Sequence, residues 1–233
     1  MIRCVLFDLD GTLLDTAPDL GYALNLLRAE QGMAPLPLSD IRPLASYGAR
    51  GLLRLGFDLH PGNDRYEPLR QRFLGHYRAH LTRATQPFDG IEQVLQALGE
   101  RQLHWGVVTN KPGWLTDPLM AGMRFPTPPR CVISGDSAAR PKPHPAPLLM
   151  ACAQSGFAPD DCVYVGDAAR DIEAGHSAGM RTVAALYGYI EAGHDPRDWG
   201  ADGCIEHPSG LIPWLDQMTP YAQAPDGFRH PQL

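Results

Sequence analysis

Cys4-Val5-Leu6-Phe7-Asp8-Leu9-Asp10-Gly11-Thr12-Leu13-Leu14-Asp15-Thr16 is a short apolar run that ends in two carboxylates one residue apart. The run fits a strand buried on both faces. Strand packing has no use for Asp8 and Asp10, which repel each other at this spacing. A strand tip carrying such a pair points to a cation site, a catalytic site or both. The plain alternative is a solvated turn after the strand, and the other strand ends decide between the two.

Working outward, apolar runs recur at 3–9, 103–109, 130–134, 162–166 and 181–185, each closed by polar or glycine-containing sequence. Between most of them lie segments with helical spacing, such as 90–101, with Ile91, Val94, Leu95 and Leu98 on one face, and 146–155. This alternation predicts an α/β fold, a Rossmann-like parallel sheet with helices on both faces. One stretch breaks it. From about Asp15 to Gln86 no buried strand is evident, and amphipathic stretches at 20–31, 41–55 and 66–81 are punctuated by Gly, Pro and Asp/Asn. We therefore expect a discontinuous α/β core, 1–14 and 87–218, carrying an inserted all-helical cap domain over 15–86, with 219–233 an irregular tail.

Composition narrows the function classes. A formal charge of −6 without a basic cluster argues against nucleic-acid binding. No run reaches the ~18 apolar residues of a membrane helix. Cys4, Cys131, Cys152, Cys162 and Cys204 are scattered and never form a C-x-x-C pair, so they read as buried small hydrophobes in a reducing compartment. Asp8 and Asp10 interrupt the early apolar run, which does not read as a secretory signal, and cytoplasmic residence is the expectation. The nine histidines show no ligand spacing.

In a parallel sheet, ligands gather at the carboxyl ends of the strands. There the sequence delivers Asp8 and Asp10, then Thr109-Asn110-Lys111, then Lys142 between Pro141 and Pro143, then Gly166-Asp167 with Asp171 four residues on. The carboxylates Asp8, Asp10 and Asp167 are hard oxygen ligands that suit Mg²⁺. An i+4 spacing turns Asp171 to the side of Asp167. Thr109 and Asn110 can hold phosphoryl oxygens, and Lys142 can offset both the carboxylates and a bound phosphate. Together the groups suit phosphoryl transfer onto an aspartate. Read singly, Thr109 and Asn110 could also cap a helix, and Asp171 could be a helix N-terminal charge.

These four motifs, D-x-D-G-T at Asp8–Thr12, Thr109, Lys142 and G-D-x-x-x-D at Gly166–Asp171, stand in the order found in the haloacid dehalogenase superfamily. The chain resembles its phosphatase branch with a helical cap over nearly its whole length. The resemblance implies that Asp8 is the nucleophile forming an aspartyl-phosphate. It implies that Asp10 protonates the leaving oxygen and then activates water. Mg²⁺ would be bound by Asp8, the Asp10 backbone carbonyl and Asp167, with Asp171 acting through water. The partner would be a small-molecule phosphate ester, with neither nucleic acid nor membrane involved.

Arg50, in Ser46-Tyr47-Gly48-Ala49-Arg50-Gly51, is similar to a Gly-x-x-Arg element that faces the substrate in relatives of this kind. It reads equally as a carboxylate-binding residue or as an ordinary helix-surface arginine. The core motifs resemble phosphoglycolate phosphatases. Residues 105–112 and the stretch Tyr187-Gly188-Tyr189-Ile190 with Pro196 and Trp199-Gly200-Ala201-Asp202 look closer to phosphatases acting on N-acetylmuramic acid 6-phosphate in peptidoglycan recycling. The muramate ester is the expected substrate and phosphoglycolate the alternative. A sugar phosphomutase of the same fold, a dehalogenase and a non-catalytic binding module are the other classes. Retention of Asp10, Asp167 and Asp171 speaks against the dehalogenase, and no catalytic group is missing as a binding module would predict.

Overall fold

The computed structural model describes residues 1–218, so the tail expected over 219–233 lies outside the described residues. The chain runs β1 (Cys4–Phe7), β2 (Leu14–Asp15), α1 (Ala17–Glu30), α2 (Leu38–Ile41), α3 (Gly48–Phe57), α4 (Tyr66–Ala79), β3 (Gln86–Pro87) and α5 (Ile91–Glu100). It continues with β4 (His104–Val108), α6 (Gly113–Gly122), β5 (Val132–Ile133), α7 (Ala146–Ser155), β6 (Cys162–Gly166), α8 (Ala169–Ser177), β7 (Arg181–Ala185), β8 (Gly203–Ile205) and α9 (Leu211–Met218). Six strands form one parallel sheet in the order β5-β4-β1-β6-β7-β8. The order reverses at β1, the switch point where open α/β sheets bind ligands.

Alternation along β1 explains the two layers. Val5 and Phe7 face a core shared with the inserted helices, whereas Cys4 and Leu6 face a second cluster with Val108, Ile133, Leu148 and Tyr164. Cys4, Cys131, Cys152 and Cys162 lie buried in that second layer. Cys204 departs from the expectation of burial and is exposed on the short edge strand β8. The sequence pattern did not announce β8, because three edge residues beginning with Gly leave no apolar run to read.

The inserted segment is helical throughout, as its spacing predicts. Leu20, Leu24 and Leu27 of α1 join one core with Leu52, Leu53, Phe73 and Leu74. The helix expected over 41–55 is broken, with a 3-10 turn Arg42–Tyr47 separating α2 from α3. Pro43, which has no N–H to continue α2, stands at the start of the turn, and Gly48, whose φ of +55° is not a right-handed helical conformation, separates the turn from α3. The two crossings between insert and sheet are fastened together. β2 and β3 pair antiparallel, and buried Asp19 accepts from Ala84 N at 3.0 Å and from Thr85 N at 2.8 Å. Arg42 grips Asp15 through two 2.9 Å bonds, and Tyr189 Oη donates to the same carboxylate at 2.8 Å.

Candidate active site

Register brings the motifs to one edge. Phe7 stands opposite Val107 on one side and Val165 on the other, so Asp8, Thr109 and Asp167 emerge together from the carboxyl ends of three adjacent strands. Asp8 and Asp167 are 3% and 1% exposed. Each of Asp8, Asp167 and Asp171 offers an oxygen within 4.8 Å of the others.

Burying three carboxylates requires compensation, and Lys142 supplies part of it. Its Nζ lies 2.9 Å from Asp8 Oδ1 and 2.8 Å from Asp171 Oδ1. It also donates to Val108 O at 3.0 Å and to Tyr164 Oη at 2.5 Å. The Asn110 side chain holds the Lys142 peptide, accepting from its N and donating to its O, each at 2.9 Å. The ammonium is thus engaged by carboxylates, and one N–H of the Asn110 amide by a neighbouring backbone carbonyl. Thr109 and Asn110 line the cavity, whereas Lys142 does not.

Asp171 takes the helix N-terminal position the sequence allowed and also stands in the acidic cluster with Asp8 and Asp167. Its Oδ2 accepts from Ala168 N at 3.0 Å, closing the first turn of α8, while Oδ1 meets Lys142. Burial raises its pKa, an effect Lys142 opposes. Asp167 Oδ2 accepts from Ser46 Oγ at 2.7 Å and from Tyr189 N at 2.9 Å. Burial, then the Asp8 and Asp171 charges, push its pKa up to about 7. The backbone is fitted around this carboxylate, since a Cβ on Gly11 or on Gly188 would fall on Asp167. Three buried acids with one shared ammonium leave a surplus of negative charge. The site therefore suits a hard divalent cation, which oxygen-only ligands favour.

Asp10 is held separately. Thr16 Oγ1 donates to its Oδ1 at 2.5 Å, and Lys111 Nζ lies 3.0 Å from the same oxygen. Lys111 is 6% exposed and donates to Tyr77 Oη at 3.2 Å. Burial works against its charge, yet Asp10 and Tyr77 raise its pKa above that of an ordinary lysine. Lys111 carried no role in the sequence reading, although its place directly after Thr109-Asn110 was the available signal.

A cavity of about 350 Å³ opens above these groups, its floor formed by Asp8, Asp10 and Thr109. The insert covers it with Arg50, Arg70 and Tyr77, and Arg170 reaches it from the core. Arg50 thus lies on the cavity wall and is also solvent-exposed. Ser46 and Arg170 were not anticipated. Ser46 lies two residues before the Gly48–Arg50 element and outside it, and Arg170 is an unconstrained position inside G-D-x-x-x-D.

Comparison with known proteins agrees with this geometry. The chain belongs to the haloacid dehalogenase-like hydrolase family, which matches residues 5–185. Fold, family and acidic site define a phosphatase, a metal-dependent phosphomonoesterase for a small phosphate ester. The chain is 42% identical to an N-acetylmuramic acid 6-phosphate phosphatase from Pseudomonas aeruginosa, over 93% of this chain and 96% of the relative. It is 44% identical to a phosphoglycolate phosphatase from Xanthomonas campestris pv. campestris, over 90% and 94%. Among solved structures, a predicted phosphoglycolate phosphatase from Haemophilus somnus 129PT superposes with a TM-score of 0.78 at 25% identity, covering 92% of this chain and 98% of that one. Among the described residues no helix is long and apolar enough to cross a membrane.

Proposed function

We propose that the protein hydrolyses small phosphate monoesters that also bear a carboxylate, through a phosphorylated Asp8, and that phosphoglycolate is the foremost candidate. The observation that carries the mechanism is the unequal treatment of the two oxygens of Asp8. Oδ1 accepts from Leu9 N at 2.7 Å and meets Lys142. No donor among the described residues reaches Oδ2, and no buried side-chain polar atom there lacks a partner, so Oδ2 is the oxygen open to the cavity.

In this reading Oδ2 of Asp8 attacks phosphorus while the bond to the leaving oxygen breaks. Asp10 gives its proton to that oxygen. Asp10 then removes a proton from water, which displaces phosphate from Asp8. Thr16 and Lys111 both occupy Oδ1 of Asp10, which leaves its Oδ2 to carry the proton. A divalent cation held by Asp8, Asp167 and Asp171 beside the Asp10 carbonyl, with Mg²⁺ the proposed ion, would screen charge between the carboxylate and the phosphoryl oxygens. In this reading the Thr109 hydroxyl donates to the phosphate and Arg50 binds the carboxylate, which their positions on the cavity wall support.

Support for phosphoglycolate comes from relatives bearing that activity in their names, among them those from Xanthomonas campestris and Xylella fastidiosa at 44% and 42% identity. The sequence reading put the muramate ester first, and these relatives favour reversing the order. N-acetylmuramic acid 6-phosphate stays as the second reading on one specific observation: a cavity of about 350 Å³ exceeds what a two-carbon ester fills. The test compares kcat/KM for the two esters and for N-acetylglucosamine 6-phosphate with Mg²⁺, because discrimination resides in transition-state binding. Phosphoglycolate is expected to lead. A tenfold or greater advantage for the muramate ester would instead establish the second reading.

A further inference from the structure

A phosphate arriving at Asp8 is an anion meeting a carboxylate. A divalent cation held by the acids would screen part of that repulsion, but the lysine beside Asp8 is already engaged. Lys142 is fully buried against Asp8, Asp171, Val108 O and Tyr164 Oη, and it does not line the cavity. Asn110 is held by the Lys142 backbone. Lys111 lines the cavity, but its ammonium is occupied by Asp10 and Tyr77. From these side chains the phosphate obtains the Thr109 hydroxyl, the second N–H of the Asn110 amide and little positive charge.

Arg170 is placed differently. It precedes Asp171 in α8 and reaches the same cavity as Asp8, Asp10 and Thr109. Its Nη2 donates to the Ser46 carbonyl at 2.8 Å, a neutral acceptor on the insert. Among the described residues it forms no ion pair, although Asp8, Asp167 and Asp171 are all near enough to act on it electrostatically. The guanidinium is about 5.9 Å from the Tyr47 ring centroid, which gives it one apolar wall. A guanidinium carries five N–H donors in a rigid fork, and the protein engages only part of that fork. The nearby acids stabilise its charge, and the N–H donors that the protein leaves unengaged are available to a ligand in the cavity.

We propose that Arg170 is a phosphoryl-binding residue, its unused N–H donors gripping the non-bridging oxygens of the phosphate that Asp8 attacks. The assignment rests on Asp8 being the nucleophile of this cavity. It favours phosphate over the substrate carboxylate because Arg170 stands on the core beside the acids, whereas Arg50 and Arg70 stand on the insert, where the remainder of the substrate must lie. The bond to Ser46 gives the residue a second consequence, since the cation that holds the phosphate also anchors the insert over it.

Calorimetric titration of inorganic phosphate into the Mg²⁺-loaded protein tests the assignment, with glycolate titrated in parallel as the carboxylate probe. In Arg170→Gln the dissociation constant for phosphate should rise about tenfold to a hundredfold, the range expected for losing charged hydrogen bonds. Glycolate binding should stay within about twofold. Arg170→Lys, which keeps the charge and guards against a folding artefact, should recover part of the phosphate affinity. Unchanged phosphate binding in a folded Arg170→Gln protein overturns the assignment. An equal loss for glycolate does so as well, since it would mean that Arg170 acts only by anchoring the insert. Turnover in Asp8→Asn tests the underlying reading separately: full activity there removes the nucleophile, whereas lost activity with unchanged phosphate binding in Arg170→Gln removes this inference alone.

Discussion

The Lys142 ammonium lies 2.9 Å from Asp8 Oδ1 in a pocket that excludes solvent from the lysine side chain entirely. It reaches Asp171 from the same nitrogen, so one positive charge offsets two buried negative ones. Breaking such a pair strands carboxylates rather than merely removing a bond, at a cost of about 3–5 kcal/mol. Lys142→Met should therefore lower the denaturation free energy of the metal-free protein by about that amount at pH 8. The loss should shrink at pH 5–6, where an orphaned carboxyl can take up a proton. A urea-unfolding series at the two pH values measures it, and an equal loss at both would contradict the electrostatic account.

Asp8→Asn keeps the shape of the side chain and removes both the proposed nucleophile and one charge from the acidic cluster. Turnover should fall by at least about a thousandfold. The metal-free variant should melt no lower than wild type, because a repulsion with Asp167 and Asp171 has been relieved. The two readouts together separate chemistry from folding: a variant that melted far below wild type would show that Asp8 serves the fold.

Asp167 makes the metal-free protein sensitive to pH in a definite direction. Its pKa is raised by burial from an ordinary 3.8 to about 7, so the folded state binds a proton that the unfolded chain releases. This group imposes no penalty below about pH 4. Its penalty grows between pH 4 and 7 and is fully present above 7. Metal-free Asp167→Asn, which mimics the protonated form, should accordingly be more stable than wild type at pH 8, and the advantage should fade by pH 5. Differential scanning calorimetry in chelator reads the gap. Because a bound cation must displace the same proton, Mg²⁺ affinity of the wild type should weaken as pH drops below about 7.

Asp10 can be tested by the leaving group. p-Nitrophenolate departs without a proton, whereas the alkoxide of an alkyl ester does not. In Asp10→Asn the first step should survive with p-nitrophenyl phosphate, giving a burst of about one nitrophenolate per active site followed by slow turnover. An alkyl phosphate should show no burst and lose about a hundredfold to ten-thousandfold in rate. Rapid-quench kinetics would reveal the difference, and equal losses for both esters would deny Asp10 the role of acid.

The acids and the sheet were legible because their physics is local. A carboxylate pair closing the apolar run Cys4–Phe7 has no packing explanation, and the other runs showed by length and spacing that they were parallel strands. Lys142 was legible through Pro141 and Pro143. What its ammonium contacts was not, because Asp8, Asp171 and Tyr164 meet it only after three strands are in register. Lys111 and Arg170 were missed for the same reason. A lysine or arginine in a polar loop reads as solvated until a neighbouring element closes over it, here α4 through Tyr77 and the 3-10 turn through Ser46. The division of the 41–55 helix depended on Pro43 and on Gly48, whose positive φ is invisible in an otherwise helical pattern.

Gly188 and Gly75 give opposite signs for the same substitution. At Gly188 an added methyl would overlap the Asp167 Cβ and approach Gly11 O to 2.6 Å, with no strained φ involved. Gly188→Ala should thus displace Asp167, destabilise the protein by about 1–3 kcal/mol and weaken Mg²⁺ binding in parallel. Gly75 lies inside α4 with nothing within 4 Å of the new methyl. There alanine removes only the entropy that glycine forfeits on folding, so Gly75→Ala should gain about 0.5–1 kcal/mol with Mg²⁺ affinity unchanged. Unfolding and metal titrations on the two variants supply the comparison. A Gly188→Ala protein that bound Mg²⁺ like wild type would mean that the tight backbone around Asp167 does not position this carboxylate for the cation.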